Sequence, residues 1–220
     1  MISILMPIYN GIEFINESVE SIINQTYTEW ELIIGVNGHP QDSYVYKIAS
    51  DYIGRMPDKI RVLDLYNIKG KANALNEMVK YCKYNYIALL DVDDRWTDNK
   101  LTIQSKYIDK YDVVGSRFIY FGNSYGGPNI PVGDLSNFDF MLFNPMGNSS
   151  TIIRKELCYW DSLWNCGVED YDMWLRLNKQ GKTFYNCSEI LMHHRIHNQS
   201  AFNAQGNANH VPRLLKKYRK

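Results

Sequence analysis

Three carboxylates crowd into four positions at Asp91-Val92-Asp93-Asp94, directly after the apolar run Tyr86-Ile87-Ala88-Leu89-Leu90. Like charge packed this densely at a strand end is costly unless something cationic resides there. A divalent metal with hard oxygen ligands is one answer, since Mg²⁺ or Mn²⁺ takes one or two carboxylates and fills its shell with phosphate oxygens. An acidic loop in which Asp94 or Asp98 caps the next helix is the plainer alternative. Strand alternation sends Asp91 and Asp93 to one side and turns Asp94 away. Far along the chain, His193-His194-Arg195-Ile196-His197 gathers three imidazoles and a guanidinium. A zinc site lacks the usual glutamate or cysteine partners at ligand spacing. An extended strand would align His193, Arg195 and His197 on one face suited to an anion, and surface histidines on an edge strand remain a third reading. Glu169-Asp170, at the start of a helical stretch, reads by itself as helix capping.

The elements that must position these groups follow from periodicity. Residues 2–8 form a short apolar strand ended by Tyr9-Asn10-Gly11, and Ile12, Ile15, Val19, Ile22 and Ile23 recur at helical spacing. A second strand, 31–36, stops at Asn37-Gly38; a helix over 44–53, a strand over 60–65, and a helix through Ala72, Leu75, Met78 and Val79 lead into the fourth strand, 86–90. This alternation predicts an α/β fold with a parallel sheet covered by helices on both faces. Ligands in such folds sit beyond the carboxyl ends of the strands. Tyr9-Asn10, Asn37-Gly38 and the acidic cluster all fall there and should converge. The second half is less regular: strands over 112–121, 149–153 and 190–196, a Gly/Pro/Asn-rich loop over 122–133, a helix over 169–179, and a basic tail over 211–220 that is a short helix or a frayed end.

Composition narrows the classes. The 220 residues are 45% hydrophobic and 22% charged, enough for a real core and one domain with two functional halves. Lys+Arg and Asp+Glu both number 24, so no net field draws the chain to nucleic acid or an anionic membrane. Four cysteines without a C-x-x-C pair read as reduced thiols in a cytoplasmic protein. No apolar run approaches the ~20 residues of a membrane span, and Met1-Ile2-Ser3-Ile4-Leu5-Met6-Pro7 lacks the basic leader of a signal peptide.

Taken in order, the motifs resemble those of family 2 glycosyltransferases. Pro7-Ile8-Tyr9-Asn10 is similar to the family's first-strand motif. Gln25-Thr26-Tyr27 before Trp30-Glu31-Leu32-Ile33-Ile34 is similar to its join into the second strand. Gly70-Lys71-Ala72-Asn73-Ala74-Leu75-Asn76 resembles the stretch before the fourth strand, and Asp91-Val92-Asp93-Asp94-Arg95-Trp96 with Lys100-Leu101 and Gln104 resembles the D-x-D-D-x-W region. Glu169-Asp170 before Trp174-Leu175, and His194-Arg195-Ile196-His197 with Ser200, resemble the two late motifs.

The resemblance implies a GT-A fold, Rossmann-like with a mostly parallel sheet, and inverting transfer of a sugar from a nucleoside-diphosphate donor, a UDP-sugar by preference, to an acceptor hydroxyl. It implies a nucleotide-binding half over 1–96 and an acceptor-binding half over 97–220. Pro7, Tyr9 and Asn10 match the nucleotide pocket, Asp91 the base and ribose, and Asp93 the metal ligand. Asp170 matches the general base, and its place at a helix N-terminus is expected to keep it ionised. Arg195 and His197 match groups closing over the diphosphate, His197 also as a possible metal ligand; the cofactor is Mn²⁺ or Mg²⁺. Glu169 and Lys71 join the donor-binding set, Lys71 because the family's arginine in this stretch is Leu75 here. The usual aspartates ending the second strand are Val36 and Asn37, and an Asn37 amide can still pair with a pyrimidine edge. The acceptor is a glycan, a lipid-linked or a protein hydroxyl, with Trp164 the first choice among Trp96, Tyr159, Trp160, Trp164 and Trp174 for stacking on sugar. Two rivals stand beside this reading: a catalytically silent glycan-binding protein on the same fold, and a sugar-nucleotidyltransferase, which would need a glycine-rich phosphate loop after the first strand. The tail cations Arg213, Lys216, Lys217, Arg219 and Lys220 could touch anionic lipid or lie solvated.

Overall fold

Runs of alternating apolar residues that are buried on both sides build the centre of the sheet. In β1 (Ile2–Ile8) Leu5 enters one core layer while Ile2, Ile4, Met6 and Ile8 enter the other. β2 (Trp30–Asn37) repeats the division with Ile33 against Leu32, Ile34 and Val36. Neither strand has an exposed face, which is why both read as near-continuous hydrophobic runs. The computed structural model describes residues 1–198 and 210–219. Ser200, quoted above for the last motif, and Lys220 lie outside the described residues.

β3 (Ile60–Leu65), β4 (Tyr86–Leu89), β5 (Arg95–Trp96), β6 (Val113–Gly122), β7 (Gly133–Asp134), β8 (Ile152–Arg154) and β9 (Phe184–Ile196) complete one mixed sheet. Its order is β3-β2-β1-β4-β8-β6-β9-β5, with β7 beside β9. The pairs β1·β2, β1·β4, β2·β3 and β6·β9 are parallel, whereas β8 runs antiparallel to both β4 and β6. The reversal at β8 brings the late motifs on β9 back to the end of the sheet where the acidic turn lies. β9 is longer than the periodicity of 190–196 suggests, because residues 184–187 pair with β6 before a register shift interrupts the ladder. β5 is too short to show a period.

Six described helices cover the sheet: α1 (Ile15–Ile23), α2 (Tyr44–Asp51), α3 (Lys71–Met78), α4 (Lys100–Gln104), α5 (Glu169–Lys179) and α6 (His210–Tyr218). α3, α5 and α6 share one core layer with Leu5, Ile33 and Leu89, while α1, α2 and α4 face the other. α5 is pinned by Met173, Trp174 and Leu177, none of which keeps any solvent exposure. Truncating a buried aromatic of that size to alanine costs about 3–5 kcal/mol, so the N-terminus of α5 has a rigid base. The basic tail is not a frayed end: Leu214 is fully buried, and the Tyr218 hydroxyl donates to Asp172 Oδ1 over 2.8 Å. Among the described residues no helix is long and apolar enough to cross a membrane.

Candidate active site

The three carboxylates after β4 do not act as one cluster; each has its own partner. Leu90 N–H donates to Leu5 O and ends the ladder, and Asp94 N–H closes a turn onto Asp91 O. Asp94 is the buried member, accepting from His194 Nδ1 and Arg195 N–H, both at 2.9 Å. Burial opposes its charge, but His194 outweighs that and holds the carboxyl below its usual range. Burial likewise works against the His194 cation, and Asp94 raises it to about 9. This pair fastens β9 to the acidic turn. Asp93 Oδ2 lies 2.9 Å from His197 Nε2, and burial together with Asp94 and Asp91 pushes its carboxyl up to about 6. Asp91 is 2.6 Å from Lys71 Nζ and accepts from Asn148 Nδ2 at 3.1 Å.

The first-strand turn reaches the same place. Gly11 has φ +86°, and a Cβ there would stand 3.1 Å from the Val92 side chain, so the two loops touch through a residue that only glycine supplies cheaply. At the end of β1 and β2, the Tyr9 ring packs on His39 at 5.3 Å, and His39 Nε2 contacts Tyr9 O at 2.6 Å. Tyr9 remains 57% exposed and Asn10 is exposed, whereas Asn37 is buried at the last position of β2. Pro7 sits beside Gly35 in the β1·β2 register. The strand-end residues expected to converge therefore do.

Arg195 is more committed than its sequence context suggests. Its guanidinium lies between the Phe14 and Phe121 rings at 4.4 and 4.3 Å, pairs with Glu17 at 2.8 Å, and donates through Nε to Asp93 O. These contacts fix the acidic turn to the first-strand turn. The histidines diverge: His193 accepts from Arg95 Nε, His194 serves Asp94, and His197 serves Asp93. Among the described residues no three or more His, Cys, Asp or Glu side chains gather to hold a metal.

α5 brings in the second carboxylate pair. Glu169 is buried, accepts from Gly167 N–H at 3.0 Å, and lies 3.8 Å from Lys71. Lys71 thus ties the N-termini of α3 and α5 to Asp91. Burial opposes its charge, but Asp91 and Glu169 outweigh it and raise its pKa. Asp170, partly buried, accepts from Tyr171 N–H at 2.7 Å and from Asn144 Nδ2 at 3.3 Å. Its expected firm ionisation does not hold. Desolvation and the charge of Glu169 push the carboxyl up to about 7, against the pull of Lys71 and the Tyr171 N–H. The favourable field of a helix N-terminus is worth at most ~2 kcal/mol, and here burial beside a second anion wins.

Several supporting contacts leave no mark in the sequence, although Gly70, Trp96, Lys100 and Gln104 belong to the motifs quoted above. α3 has glycine before its first turn, so the Ala72 N–H is capped from afar by Asn165 Oδ1 at 2.7 Å. A Cβ on Gly70, at φ +85°, would collide with that same Asn165 amide. The turn Asn148–Ser150 gives Asp91 two further contacts, the Asn148 amide and the Ser149 hydroxyl, which accepts from Asp91 N–H. From beneath, Trp96 Nε1 donates to Ser149 O, and Gln104 Nε2 donates to Ser150 O. Gln104 in turn accepts from Lys100 Nζ, which is fully buried over the Trp96 ring at 4.1 Å. Polar partners supplied by a turn 46 to 58 residues away carry no local sequence signal.

Burial lowers the Lys100 pKa to about 7. A lysine depressed in the folded state contributes stability that is present above its unfolded pKa and lost as pH falls through 7. The difference in melting temperature between wild type and Lys100→Met should therefore favour wild type progressively from pH 7 to about 10.4. A pH-independent difference would show that Lys100 stays charged in place.

The aromatic expectation is corrected. Trp164 is only 5% exposed and lies under Arg213 and Lys217, at 5.3 and 5.5 Å, because α6 covers it; Trp96, Trp160 and Trp174 are core as well. Tyr159, at 57% exposure, is the one of the five that a sugar could reach.

Asp93 and His197 offer one carboxylate oxygen and one imidazole nitrogen, a donor set that suits Mn²⁺ and, less well, Mg²⁺, provided that substrate oxygens complete the shell. Two protein ligands at a partly exposed turn fit an ion delivered with a diphosphate better than a resident structural metal.

A family model described as "Glycosyl transferase family 2" matches residues 3–157. The UDP-Glc:α-D-GlcNAc-diphosphoundecaprenol β-1,3-glucosyltransferase WfgD of Escherichia coli is 28% identical over 204 residues, covering 91% of this chain and 79% of that protein. Staphylococcus aureus TarS 1–349 in complex with UDP-GlcNAc superposes with TM-score 0.75 at 17% identity, covering 99% of this chain and 66% of that one. The mannosyltransferase PcManGT from Pyrobaculum calidifontis, in complex with GDP-Man and Mn²⁺, gives TM-score 0.74 at 13% identity, over 97% of this chain and 62% of that one. The chain thus spans just under two thirds of each solved neighbour, and the likeness to them establishes a shared GT-A architecture.

Proposed function

The chain belongs to glycosyl transferase family 2, and from that premise we propose that it moves a sugar with inversion from a UDP-sugar, bound with Mn²⁺ or Mg²⁺, to an acceptor hydroxyl. The observation that carries this reading is the position of Asp170, a half-buried carboxyl in the first turn of α5, and its pKa, pushed up to about 7, suits proton transfer at neutral pH. It stands in the same charge network, through Glu169 and Lys71, as the Asp91 that begins the acidic turn.

The nucleoside lies over the ends of β1 and β2, against Pro7, Tyr9, Asn10 and Asn37, with Asp91 toward the ribose. Asp93 and His197 would hold the metal, which would offset the charge growing on the departing diphosphate. Lys71 supplies a fixed positive charge on the donor side, and Glu169 keeps it oriented. Arg195, held between two phenyl rings, orders the turn that carries Asp93 and adds positive potential near the diphosphate. Asp170 removes the proton from the acceptor hydroxyl as that oxygen bonds to the anomeric carbon. The bond from this carbon to the diphosphate oxygen breaks with its electron pair, releasing UDP. The UDP-sugar and a lipid-linked acceptor are the choices supported by the name of WfgD, and UDP by the TarS complex.

Melting temperatures measured with UDP, GDP and their sugars, each with Mn²⁺ or a chelator, test the donor. Saturation at a hundred times the dissociation constant adds about 2.7 kcal/mol, and UDP with Mn²⁺ should give the largest rise. If no nucleotide raises the melting temperature while glycans do, the silent binding protein replaces the transferase.

A further inference from the structure

A chain with no net charge carries a strongly one-sided surface at α6. Leu214 and Tyr218 turn inward, while Arg213, Lys216, Lys217 and Arg219 remain exposed, and α6 contains no acidic residue. Lys179 of α5 joins them, its Nζ 5.3 Å from the Tyr218 ring. The nearby acids Asp161 and Asp172 both pair with Lys217, at 3.2 and 2.8 Å, so among these described residues five cations face two carboxylates and keep a positive surplus. Next to Asp161 stands Leu163, 77% exposed, directly before the Trp164 ring that Arg213 covers. Cations flanking a protruding aliphatic side chain match a surface with anionic headgroups above hydrocarbon; a polyanion such as RNA would use the cations and leave the leucine in water.

We infer that the outer face of α6, with Leu163, docks this protein onto an anionic lipid bilayer. The helix is anchored to α5, whose first turn holds Glu169 and Asp170, so docking sets the candidate site at a fixed height from the membrane. Binding is electrostatic and reversible, because a handful of cations and one leucine fall short of a permanent anchor. It depends on the surface cations and on Leu163 and stands independently of the transferase reading.

Co-sedimentation with vesicles of phosphatidylglycerol mixed with equal phosphatidylcholine tests this, at millimolar lipid and low salt. The wild type should pellet with these vesicles, stay in solution with pure phosphatidylcholine, and be released by added salt. The triple variant Arg213→Gln, Lys216→Gln, Arg219→Gln should bind on the order of 100-fold more weakly, since each cation at such a surface is worth about fivefold. Its melting temperature and UDP-dependent stabilisation should match wild type. Leu163→Ser should weaken retention further at intermediate salt. Failure of wild type to pellet, equal retention on neutral lipid, full retention of the triple variant, or binding to heparin without binding to vesicles would each overturn the inference.

Discussion

Replacing Asp170 by asparagine is expected to lower the turnover number for sugar transfer by about 10²–10⁴-fold, with little change in the affinity for UDP. The amide keeps the shape and the approach of the Tyr171 N–H, but it cannot accept the acceptor's proton. The wild-type enzyme should show the complementary pH dependence. Only the ionised carboxylate is a base, so kcat/KM should fall about tenfold per pH unit below the pKa near 7 and level off above it. Stability runs the other way. A carboxyl whose folded-state pKa lies above its unfolded value stabilises fully below about 3.9, and that stability is lost as pH rises through 7. Asp170→Asn removes the cost of burying an anion beside Glu169. It should therefore melt higher than wild type at pH 8, with the advantage shrinking as the pH is lowered toward 4. An inactive variant that melts no higher at pH 8 would point to lost packing; an active one would remove Asp170 from the base role.

The second large effect belongs to Asp93. Asp93→Asn should abolish the dependence of UDP binding on Mn²⁺ and reduce transfer by at least about 100-fold, since loss of even an outer-sphere partner of a metal ligand costs 10–100-fold. Titrating Mn²⁺ into protein with UDP, by calorimetry, separates this from a folding defect. The variant should melt no lower than wild type in chelator above pH 6, because burial beside Asp94 and Asp91 disfavours the Asp93 anion and the buried anchor of this turn is Asp94 with His194. His197→Ala should weaken the metal response in the same direction. Unaltered Mn²⁺ enhancement in Asp93→Asn would place the ion elsewhere.

The contrast between Asp93 and Asp94 shows how far the amino-acid sequence can be read. Neighbouring carboxylates look alike in one dimension. Their separation into a candidate ligand and a buried strut depends on which strand passes beside the turn, and β9 arrives from a hundred residues away. Trp164 and Asp170 teach the same point. A tryptophan before Glu169-Asp170 reads as an acceptor platform until α6 is laid over it, and a helix N-terminus reads as a place of secure ionisation until burial and Glu169 are counted.

Resemblance of the ordered motifs marks the family, whereas local physics controls the strand and helix periods of the first ninety residues and, through them, the α/β class. Those features depend on side-chain alternation and turn chemistry within a few residues. The partners are set in three dimensions: Lys71 between Asp91 and Glu169, Asn165 capping α3, the Asn148–Ser150 turn propped by Lys100 and Gln104, and Arg195 between two phenyl rings. Each of these contacts joins segments distant in the chain, and desolvation and Coulomb energy depend on distance in space, which the order of residues does not contain.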